Sequence, residues 1–404
     1  MIPFSPPRID DKIIKEVTDT LRSGWITTGP KTKLFEKKLA EFAHVPKVIC
    51  VNAGTTGLEL MLRWFGVGPG DEVIIPAYTY CATANVIMHC GAKAVMVDSN
   101  TGNFNINPEK IKSAITSRTK AIIPVDIGGY PADYDEIHNI ICDPDIRALF
   151  SPKTDAQQKL GRIMLLSDAA HSLGGLYKGK PVGSLADVSV FSFHAVKNLT
   201  TSEGGAIALN LPEGFDHDAI YNYLNIMSLH GQSKDALAKS QIGNWRYDVL
   251  MAGYKANMTD IQASIGLVEL ERYKTDTLPR RKNIIDAYNK AFEQENWAEI
   301  PPVYNNNTTS SFHLYQLRIK NINEATRDRI IEDIFKKEVS VNVHFQPLPM
   351  LTHYKNSGYE MQDYPNAFKN YEREISLPVY YDLSDENVNT VIKTVIDAVN
   401  KILA

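Results

Sequence analysis

The sequence predicts an α/β protein built on a mostly parallel β-sheet, and three observations support this fold class. Seven short apolar runs in the first two thirds of the chain are typical of strands, at 47–52, 72–76, 94–98, 121–126, 162–168, 188–193 and 206–210. Helical patterns lie between several of these runs, at 55–66, 79–91 and 131–141. Because the strands are nearly continuous in apolar residues and alternate with helices, we expect a sheet covered by helices on both faces.

The length of the chain and a change of pattern after residue 255 indicate two unequal parts. The chain has 404 residues, which is enough for two or three domains. Residues 258–297 are almost continuously helical in pattern. Beyond them lie candidate strands at 312–319 and 340–345 and candidate helices around 323–337 and 384–401. We therefore predict a large domain over 1–274 and a small C-terminal α/β domain over 275–404.

Composition excludes several classes of function. The 43 Lys and Arg residues and 47 Asp and Glu residues give a net charge of -4, which argues against binding of nucleic acid. Four scattered cysteines without a CxxC pair predict neither a disulfide framework nor a metal site. The N-terminus has no signal-peptide pattern, and no apolar run is long enough to span a membrane. We expect a cytoplasmic protein.

The first informative strand end is the segment VNAGTTGLEL. A strand ends near Asn52, small residues follow, and a helix begins. Gly54, Thr55 and Thr56 would present backbone N–H groups and hydroxyls at the helix N-terminus, which is a favourable place for a phosphate. The spacing matches neither a Walker A motif nor GxGxxG, so it favours a single phosphate group over a dinucleotide.

Two further strand ends carry an acid and a lysine. Asp168 follows the apolar run at 162–168, and Lys197 follows the run at 188–193 in a loop of small residues. A lysine is seldom buried at such a place. When it is buried, desolvation lowers its pKa and makes it a nucleophile or a base. A phosphate cradle, a carboxylate and a lysine on one parallel sheet match the needs of pyridoxal phosphate, and Tyr80 is placed to stack on its ring.

Several motifs together resemble the DegT/DnrJ family of sugar aminotransferases, over residues 8 to about 395. The motifs are GWITTGP (24–30), GPGDEVIIPAYTYCATAN (68–85), SDAAHSLGG (167–175), FSFHAVKNLTTSEGG (191–205) and GYKANMTDIQASIG (253–266). The resemblance implies a fold-type-I pyridoxal-phosphate enzyme of nucleotide-sugar biosynthesis. Pyridoxamine phosphate would then be the alternate form of the cofactor.

The resemblance also implies roles for individual residues. Lys197 would form the Schiff base, Asp168 would pair with the pyridinium nitrogen, and His171 would lie beside the ring oxygen. The phosphate would be held by Gly54, Thr55, Thr56 and Ser192, with Thr83 nearby. Asn257 matches an asparagine that reaches the phosphate from a partner subunit, which implies a homodimer with shared active sites. The positions that match the sugar-nucleotide site are Trp25, Thr27, His313 and His344.

Within the family, FHAVKNLTTSEGG and GYKANMTDI look closest to enzymes that aminate C4 of a 4-keto-6-deoxy or 4-keto-pentose nucleotide sugar. Glutamate would be the amino donor and a surface polysaccharide or glycan the destination. Amination at C3 is the nearest alternative. A dehydratase branch that replaces the lysine with histidine is disfavoured, because this chain keeps Lys197.

Two departures from the family pattern and two rival interpretations complete the analysis. Asp126 stands where many relatives have histidine, and the polar stretch 143–161, interpreted as an extended surface loop, is longer than usual. A Rossmann oxidoreductase would need an N-terminal GxGxxG, whereas GVGPGD follows a helix and precedes a strand, the wrong order. A non-catalytic regulatory protein on the same fold would be expected to lack Lys197 or Asp168, and both are present.

Overall fold

A seven-stranded sheet forms the centre of the larger part of the chain. The computed structural model describes residues 1–234 and 246–404. The strands of this sheet, in chain order, are β1 (Lys47–Val51), β2 (Glu72–Pro76), β3 (Lys93–Val97), β4 (Thr119–Ile122), β5 (Met164–Asp168), β8 (Val188–Ser192) and β9 (Gly205–Leu209). Their order across the sheet is β1-β9-β8-β5-β4-β2-β3.

The sheet is parallel except at one strand. β9 lies antiparallel between β1 and β8, and the remaining neighbours pair in parallel. β2, β5 and β9 are buried along their whole length, so both faces of the sheet are covered. The predicted fold class is confirmed, and each of the seven predicted strands matches an observed strand to within four residues at either end.

The helices lie between and beyond these strands. In chain order they are α1 (Asp11–Ser23), α2 (Pro30–Ala43), α3 (Gly54–Phe65), α4 (Cys81–His89), α5 (Pro108–Ala114), α6 (Tyr134–Cys142), α7 (Pro144–Leu149), α8 (Asp155–Leu160), α9 (His217–Ser228), α10 (Asp260–Arg272), α11 (Leu278–Phe292), α12 (Glu324–Lys336), α13 (Thr352–Asn356), α14 (Pro365–Tyr371) and α15 (Asp385–Leu403). A π-helical turn, Tyr273–Thr277, joins α10 to α11, which accounts for the continuous helical pattern in the sequence. Among the described residues, no helix has both the length and the apolar character needed to cross a membrane.

Two smaller sheets complete the fold. One has the order β10-β12-β13, formed by Ala298–Glu299, Tyr315–Ile319 and Glu374–Leu377. The other has the order β11-β6-β7, formed by Thr308–Thr309, Leu176–Tyr177 and Lys180–Pro181. The strand predicted at 340–345 is not found, because this segment makes only a single bridge, between Asn342 and Ser376.

The apolar core falls into two clusters. One surrounds the seven-stranded sheet, and the other joins α11, α12 and α15 to β12 and β13. Leu348, Tyr354, Ala367 and Tyr371 belong to the first cluster although they lie late in the chain. The predicted domain boundary at 274/275 stays a prediction.

The polar stretch 143–161 differs from the predicted surface loop, because it contains the short helices α7 and α8. The carboxylate of Asp143 accepts the N–H of Asp145 at the start of α7, and Thr154 accepts the N–H of Gln157 in α8. The Gln157 amide is buried and donates to the carbonyl of Phe65 at 2.8 Å. These side-chain caps allow a weakly periodic sequence to form helix.

Candidate active site

A cavity of about 480 Å³ opens at the carboxyl ends of β1, β5 and β8. Asp168 is the last residue of β5 and Ser192 the last of β8, while Gly54 and Thr55 begin the helix that follows β1. Lys197 lies in the loop after β8, and all five residues line the cavity. Open α/β sheets bind ligands at this edge, and a volume of this size suits a small-molecule ligand.

The N-terminus of α3 forms one wall of the cavity. Its N-cap residue, Ala53, has no side chain that can accept a hydrogen bond, so the first N–H groups have no side-chain cap. Gly54 lies against the end of β8, since a Cβ there would be 3.2 Å from the Phe191 carbonyl oxygen. A Cβ at Gly205 would be 2.4 Å from the backbone nitrogen of Gly54. The glycines thus permit the close approach that leaves the helix terminus facing the cavity, as a phosphate requires.

Lys197 is a buried lysine with a perturbed pKa. Its backbone N–H donates to the carbonyl of His194 at 2.9 Å, which closes a turn after β8. Burial lowers the pKa of Lys197 from 10.5 to about 8, and the charge of Asp168 opposes this effect. The two charged groups form no ion pair among the described residues, so the amine is available to a ligand.

Asp168 is held by hydrogen bonds that fix its carboxylate. Thr83, in α4, donates its hydroxyl to Oδ2 at 2.8 Å, and the N–H of Ala170 donates to Oδ1 at 3.3 Å. Burial raises the pKa of Asp168, although these hydrogen bonds and the charge of Lys197 act in the opposite direction. Thr83 lies behind Asp168 and does not line the cavity itself.

Three of the histidines that line the cavity, His171, His313 and His344, are neutral near pH 7. Burial holds the pKa of His171 and His313 well below 6.5 and lowers that of His344 to about 4. The rings of His171 and His313 lie 4.5 Å apart, between centroids. His171 Nδ1 accepts the N–H of Gly128 at 3.2 Å, and His313 Nδ1 lies 2.8 Å from Asn198 Oδ1. Neutral imidazoles beside a lysine can donate or accept hydrogen bonds without adding charge.

Aromatic rings border the cavity on the side of Tyr80. Tyr80 is 60% exposed and its ring lies 5.9 Å from that of Phe345, which in turn stacks on His171 at 5.8 Å. Phe4 stacks on His344 at 5.4 Å. These rings give the cavity an apolar face on which a flat ligand can stack.

The sequence analysis missed several lining residues: Phe4, Ser5, Thr79, His194, Glu203 and Phe345. The N-terminal residues carry no local motif, and they reach the cavity because Ile2 pairs with Val339 far along the chain. For Phe345 a weak signal existed in its position next to His344.

Besides Thr83, four other predicted residues lie outside the cavity wall. Thr56 donates its hydroxyl to Asn52 Oδ1 at 2.8 Å. The Asn257 amide donates to the hydroxyl of Thr28 at 2.6 Å, and Trp25 Nε1 donates to the Thr28 carbonyl at 3.2 Å. Thr27 is exposed beside them. Within a single chain the structure therefore gathers Asn257 and Trp25 around Thr28, and none of the three lines the cavity that contains Lys197.

Asp126 is buried, and its carboxylate accepts hydrogen bonds from neighbouring backbone N–H and hydroxyl groups. Its carboxylate accepts from Ser172 at 2.6 Å, from the N–H of Ala132 at 2.8 Å and from the Tyr134 hydroxyl at 3.0 Å. Burial raises the pKa of Asp126 to about 6. Its contacts are structural and lie behind the loop that carries His171.

The arrangement fits pyridoxal phosphate. The uncapped start of α3 suits the phosphate, the buried amine of Lys197 suits the aldehyde, and the carboxylate of Asp168 suits the pyridinium nitrogen. Each group lines the same cavity.

Known proteins are similar to this chain in sequence and in fold. The model of the DegT/DnrJ/EryC1/StrS aminotransferase family matches residues 7–396. MJ1066 of Methanocaldococcus jannaschii is 41% identical over 98% of this chain and 96% of its own. The spore coat polysaccharide biosynthesis protein SpsC of Bacillus subtilis is 38% identical, over 98% and 97%. Spr1654 of Streptococcus pneumoniae, described as a sugar aminotransferase and solved in its PMP form, is 46% identical with a TM-score of 0.96 over 100% of both chains. The same protein is also solved in its PLP form.

Proposed function

The chain belongs to the DegT/DnrJ/EryC1/StrS aminotransferase family, and from this premise we propose a specific reaction for it. It is a sugar aminotransferase that depends on pyridoxal phosphate. We propose that it transfers an amino group from glutamate to C4 of a nucleotide-linked 4-keto-6-deoxy sugar. The product would enter a surface polysaccharide or glycan.

The observation that carries the proposal is the convergence of three unlike groups on one cavity. An amine with a lowered pKa, a carboxylate fixed by hydrogen bonds and a helix N-terminus without a side-chain cap suit three different parts of pyridoxal phosphate. Two further lining residues, His313 and His344, form what is here called the rim of the cavity, and the three groups above do not include them. This rim supports a role in binding the sugar.

Lys197 is the group that moves protons in this proposal. Bound pyridoxal phosphate supplies the electron sink that lets an amino group pass from donor to acceptor. With a pKa of about 8, about a tenth of Lys197 carries a free amine at pH 7, compared with well under a thousandth for an ordinary lysine, and Nζ can accept a proton and return it. The carboxyl group of Asp168 lines the cavity, and the hydroxyl of Thr83 restrains it.

The neutral histidines suit a sugar ligand. A keto sugar presents hydroxyl and carbonyl oxygens, which pair well with imidazole groups that stay uncharged. His313 is oriented by Asn198, whose amide in turn donates to the Ser311 carbonyl at 2.7 Å. Their positions support sugar binding at this side of the cavity.

We further propose that two copies of the chain complete each active site. Asn257, Trp25 and Thr27 do not line the cavity of their own chain. Ile26, next to Trp25 and Thr27, is 49% exposed, which is unusual for a large apolar side chain. In the dimer Asn257, Trp25 and Thr27 would face the cavity of the partner.

The test is amino transfer from ¹⁵N-glutamate to a panel of UDP-, dTDP- and GDP-linked keto sugars. We expect a product with ¹⁵N at C4, located by its coupling to the H4 proton in NMR. Incorporation at C3 would refute the C4 assignment, and absence of ¹⁵N transfer to every keto sugar would refute the function. Transfer with ¹⁵N-amide-labelled glutamine alone would refute glutamate as the donor.

A further inference from the structure

A buried carboxyl group lies behind one of the cavity histidines. Glu374 and Ser376 are two residues apart on β13, so their side chains project from the same face of the strand. Ser376 Oγ lies 2.5 Å from Glu374 Oε1 and 2.9 Å from Nδ1 of His344. Glu374 Oε2 accepts the backbone N–H of His344 at 3.0 Å. Glu374 and Ser376 are both fully buried, while His344 lines the cavity.

The position of the His344 ring is also fixed from other directions. Its carbonyl oxygen accepts from the Tyr78 hydroxyl and from Nε2 of Gln316, each at 2.6 Å. The ring of Phe4 stacks on the imidazole at 5.4 Å. Since Nδ1 faces Ser376, Nε2 is the ring nitrogen left for a ligand in the cavity. The open question is which nitrogen carries the proton.

The charges around Glu374 and His344 bear on that question. Arg318 on β12 and Arg327 on α12 favour the ionised carboxyl, but burial outweighs them and raises the pKa of Glu374 to about 8. The hydroxyl of Tyr78 is a further titratable neighbour, and burial keeps its pKa well above 10. On the cavity side, burial and the charge of Lys197 disfavour a positive charge on His344, and the rings of His171 and His313 line the same cavity. At pH 7 this leaves a protonated carboxyl facing Ser376 and a neutral imidazole.

We propose that Glu374, acting through the hydroxyl of Ser376, sets the tautomer of His344 and so makes it a hydrogen-bond donor to the sugar. The carboxyl O–H donates to Ser376 Oγ, the Ser376 hydroxyl donates to Nδ1, and the imidazole proton therefore lies on Nε2. Once Glu374 ionises, the Ser376 hydroxyl turns to the carboxylate, Nδ1 takes the proton, and Nε2 becomes an acceptor. Glu374 is a positioning residue, and the identity of the ligand as a sugar rests on the proposed function.

A nucleophilic triad is the rival interpretation of these three residue types. In such triads the histidine lies between the nucleophile and the acid. Here the serine lies in the middle, and its hydroxyl is fully buried and hydrogen-bonded on both sides. Ser376 cannot reach a substrate in the cavity, so the geometry favours a relay to His344.

The direct test is the tautomer of His344, read by ¹⁵N NMR of histidine-labelled protein without cofactor. The chain has 10 histidines, and His344→Gln identifies the relevant signal. We expect wild type to carry its proton on Nε2 at pH 6.5 and on Nδ1 at pH 9.5. Glu374→Gln should keep the Nε2 proton at both values, because its amide donates to Ser376 while its carbonyl accepts the His344 N–H.

Two results would overturn the proposal. In the first, the tautomer of His344 in wild type is the same at both pH values. In the second, the tautomer changes with pH in Glu374→Gln as it does in wild type. Lys197 titrates in the same range but is present in both proteins, so the difference between them isolates Glu374. Glu372→Gln is the matched control, since this neighbouring carboxyl is only partly buried and makes no contact with Ser376 in the described chain. It should behave as wild type.

The kinetic test separates the two half-reactions of the loaded enzyme. Above pH 8 we expect the wild-type KM for the keto sugar to rise by about ten-fold, the loss of one hydrogen bond, whereas Glu374→Gln keeps its low KM. Conversion of the enzyme by glutamate should be the same in both proteins at each pH. If glutamate produces no spectral change in wild type, the proposed function fails. The NMR result still decides whether Glu374 sets the tautomer of His344 through Ser376. If the KM for the keto sugar depends on pH in the same way in wild type and in Glu374→Gln, the proposed effect of Glu374 on sugar binding is refuted.

Discussion

Replacement of Lys197 by methionine should stabilise the cofactor-free protein while removing its activity. The lysine is buried, and its pKa is lowered from 10.5 to about 8. A factor of ten in an ionisation equilibrium corresponds to about 1.4 kcal/mol, so holding the charged lysine in the folded protein costs about 3 kcal/mol. Methionine fills a similar volume without a charge. Some of the gain is offset, because Asp168 loses a nearby cation.

The sign of the pH dependence follows from proton binding. Between pH 8 and pH 10.5 the unfolded chain keeps the Lys197 proton while the folded chain has lost it, so the free energy of unfolding rises with pH. The free-energy cost of holding a charged Lys197 in the folded protein is therefore complete below pH 8 and absent above pH 10.5. Lys197→Met should gain up to about 3 kcal/mol at pH 7, and this gain should shrink as the pH approaches 10.5.

Urea unfolding of the cofactor-free proteins at one fixed protein concentration measures this difference, since assembly also contributes to stability. Lys355→Met is the control, because Lys355 is exposed and the change should stay within about 0.5 kcal/mol. A Lys197→Met protein that folds normally but is no more stable than wild type at pH 7 would refute the reasoning. So would a gain that is the same at pH 7 and pH 10.

Three other predictions concern the surroundings of the site. Thr83→Ala removes the hydroxyl that restrains Asp168, so the affinity for pyridoxal phosphate in a fluorescence titration should fall about ten-fold. Thr83→Ser should restore the affinity, and equal affinities of wild type and Thr83→Ala would contradict this role. Tyr80→Ala should weaken cofactor binding by a similar factor of about ten, whereas Tyr80→Phe keeps the ring and should bind normally; a loss in both would exclude stacking as the cause. Asp126→Ala leaves the buried hydroxyls of Ser172 and Tyr134 without their acceptor, so the free energy of unfolding should fall by about 2 kcal/mol, and an unchanged denaturation midpoint would rule out this structural role.

The central sheet could be predicted from the sequence because its strands are buried on both faces. Such strands form continuous apolar runs, and two neighbouring runs end at polar residues, Asp168 and Ser192. The carboxyl ends of parallel strands share one edge, so these residues could be expected to meet at a cavity. The helix N-terminus, Asp168 and Lys197 together already indicated pyridoxal phosphate, and the resemblance to a known family then implied roles for further residues.

Other features could not be predicted because they depend on contacts between distant parts of the chain. Phe4 reaches the cavity only because Ile2 pairs with Val339, and neither segment carries a motif. The apolar pattern at 340–345 suggested a strand, but the segment supplies His344 and Phe345 to the cavity instead of a full ladder. Likewise, Glu374 has the appearance of an ordinary strand residue until its side chain is seen behind His344.

The most direct measurement for the central claim is chemical trapping of the cofactor on the protein. Wild type loaded with pyridoxal phosphate is reduced with borohydride, digested, and examined by mass spectrometry. We predict a single pyridoxyl adduct on the peptide that contains Lys197, and no adduct in Lys197→Ala. An adduct on a different lysine, or equal labelling of the Lys197→Ala protein, would contradict the assignment of this cavity as the active site.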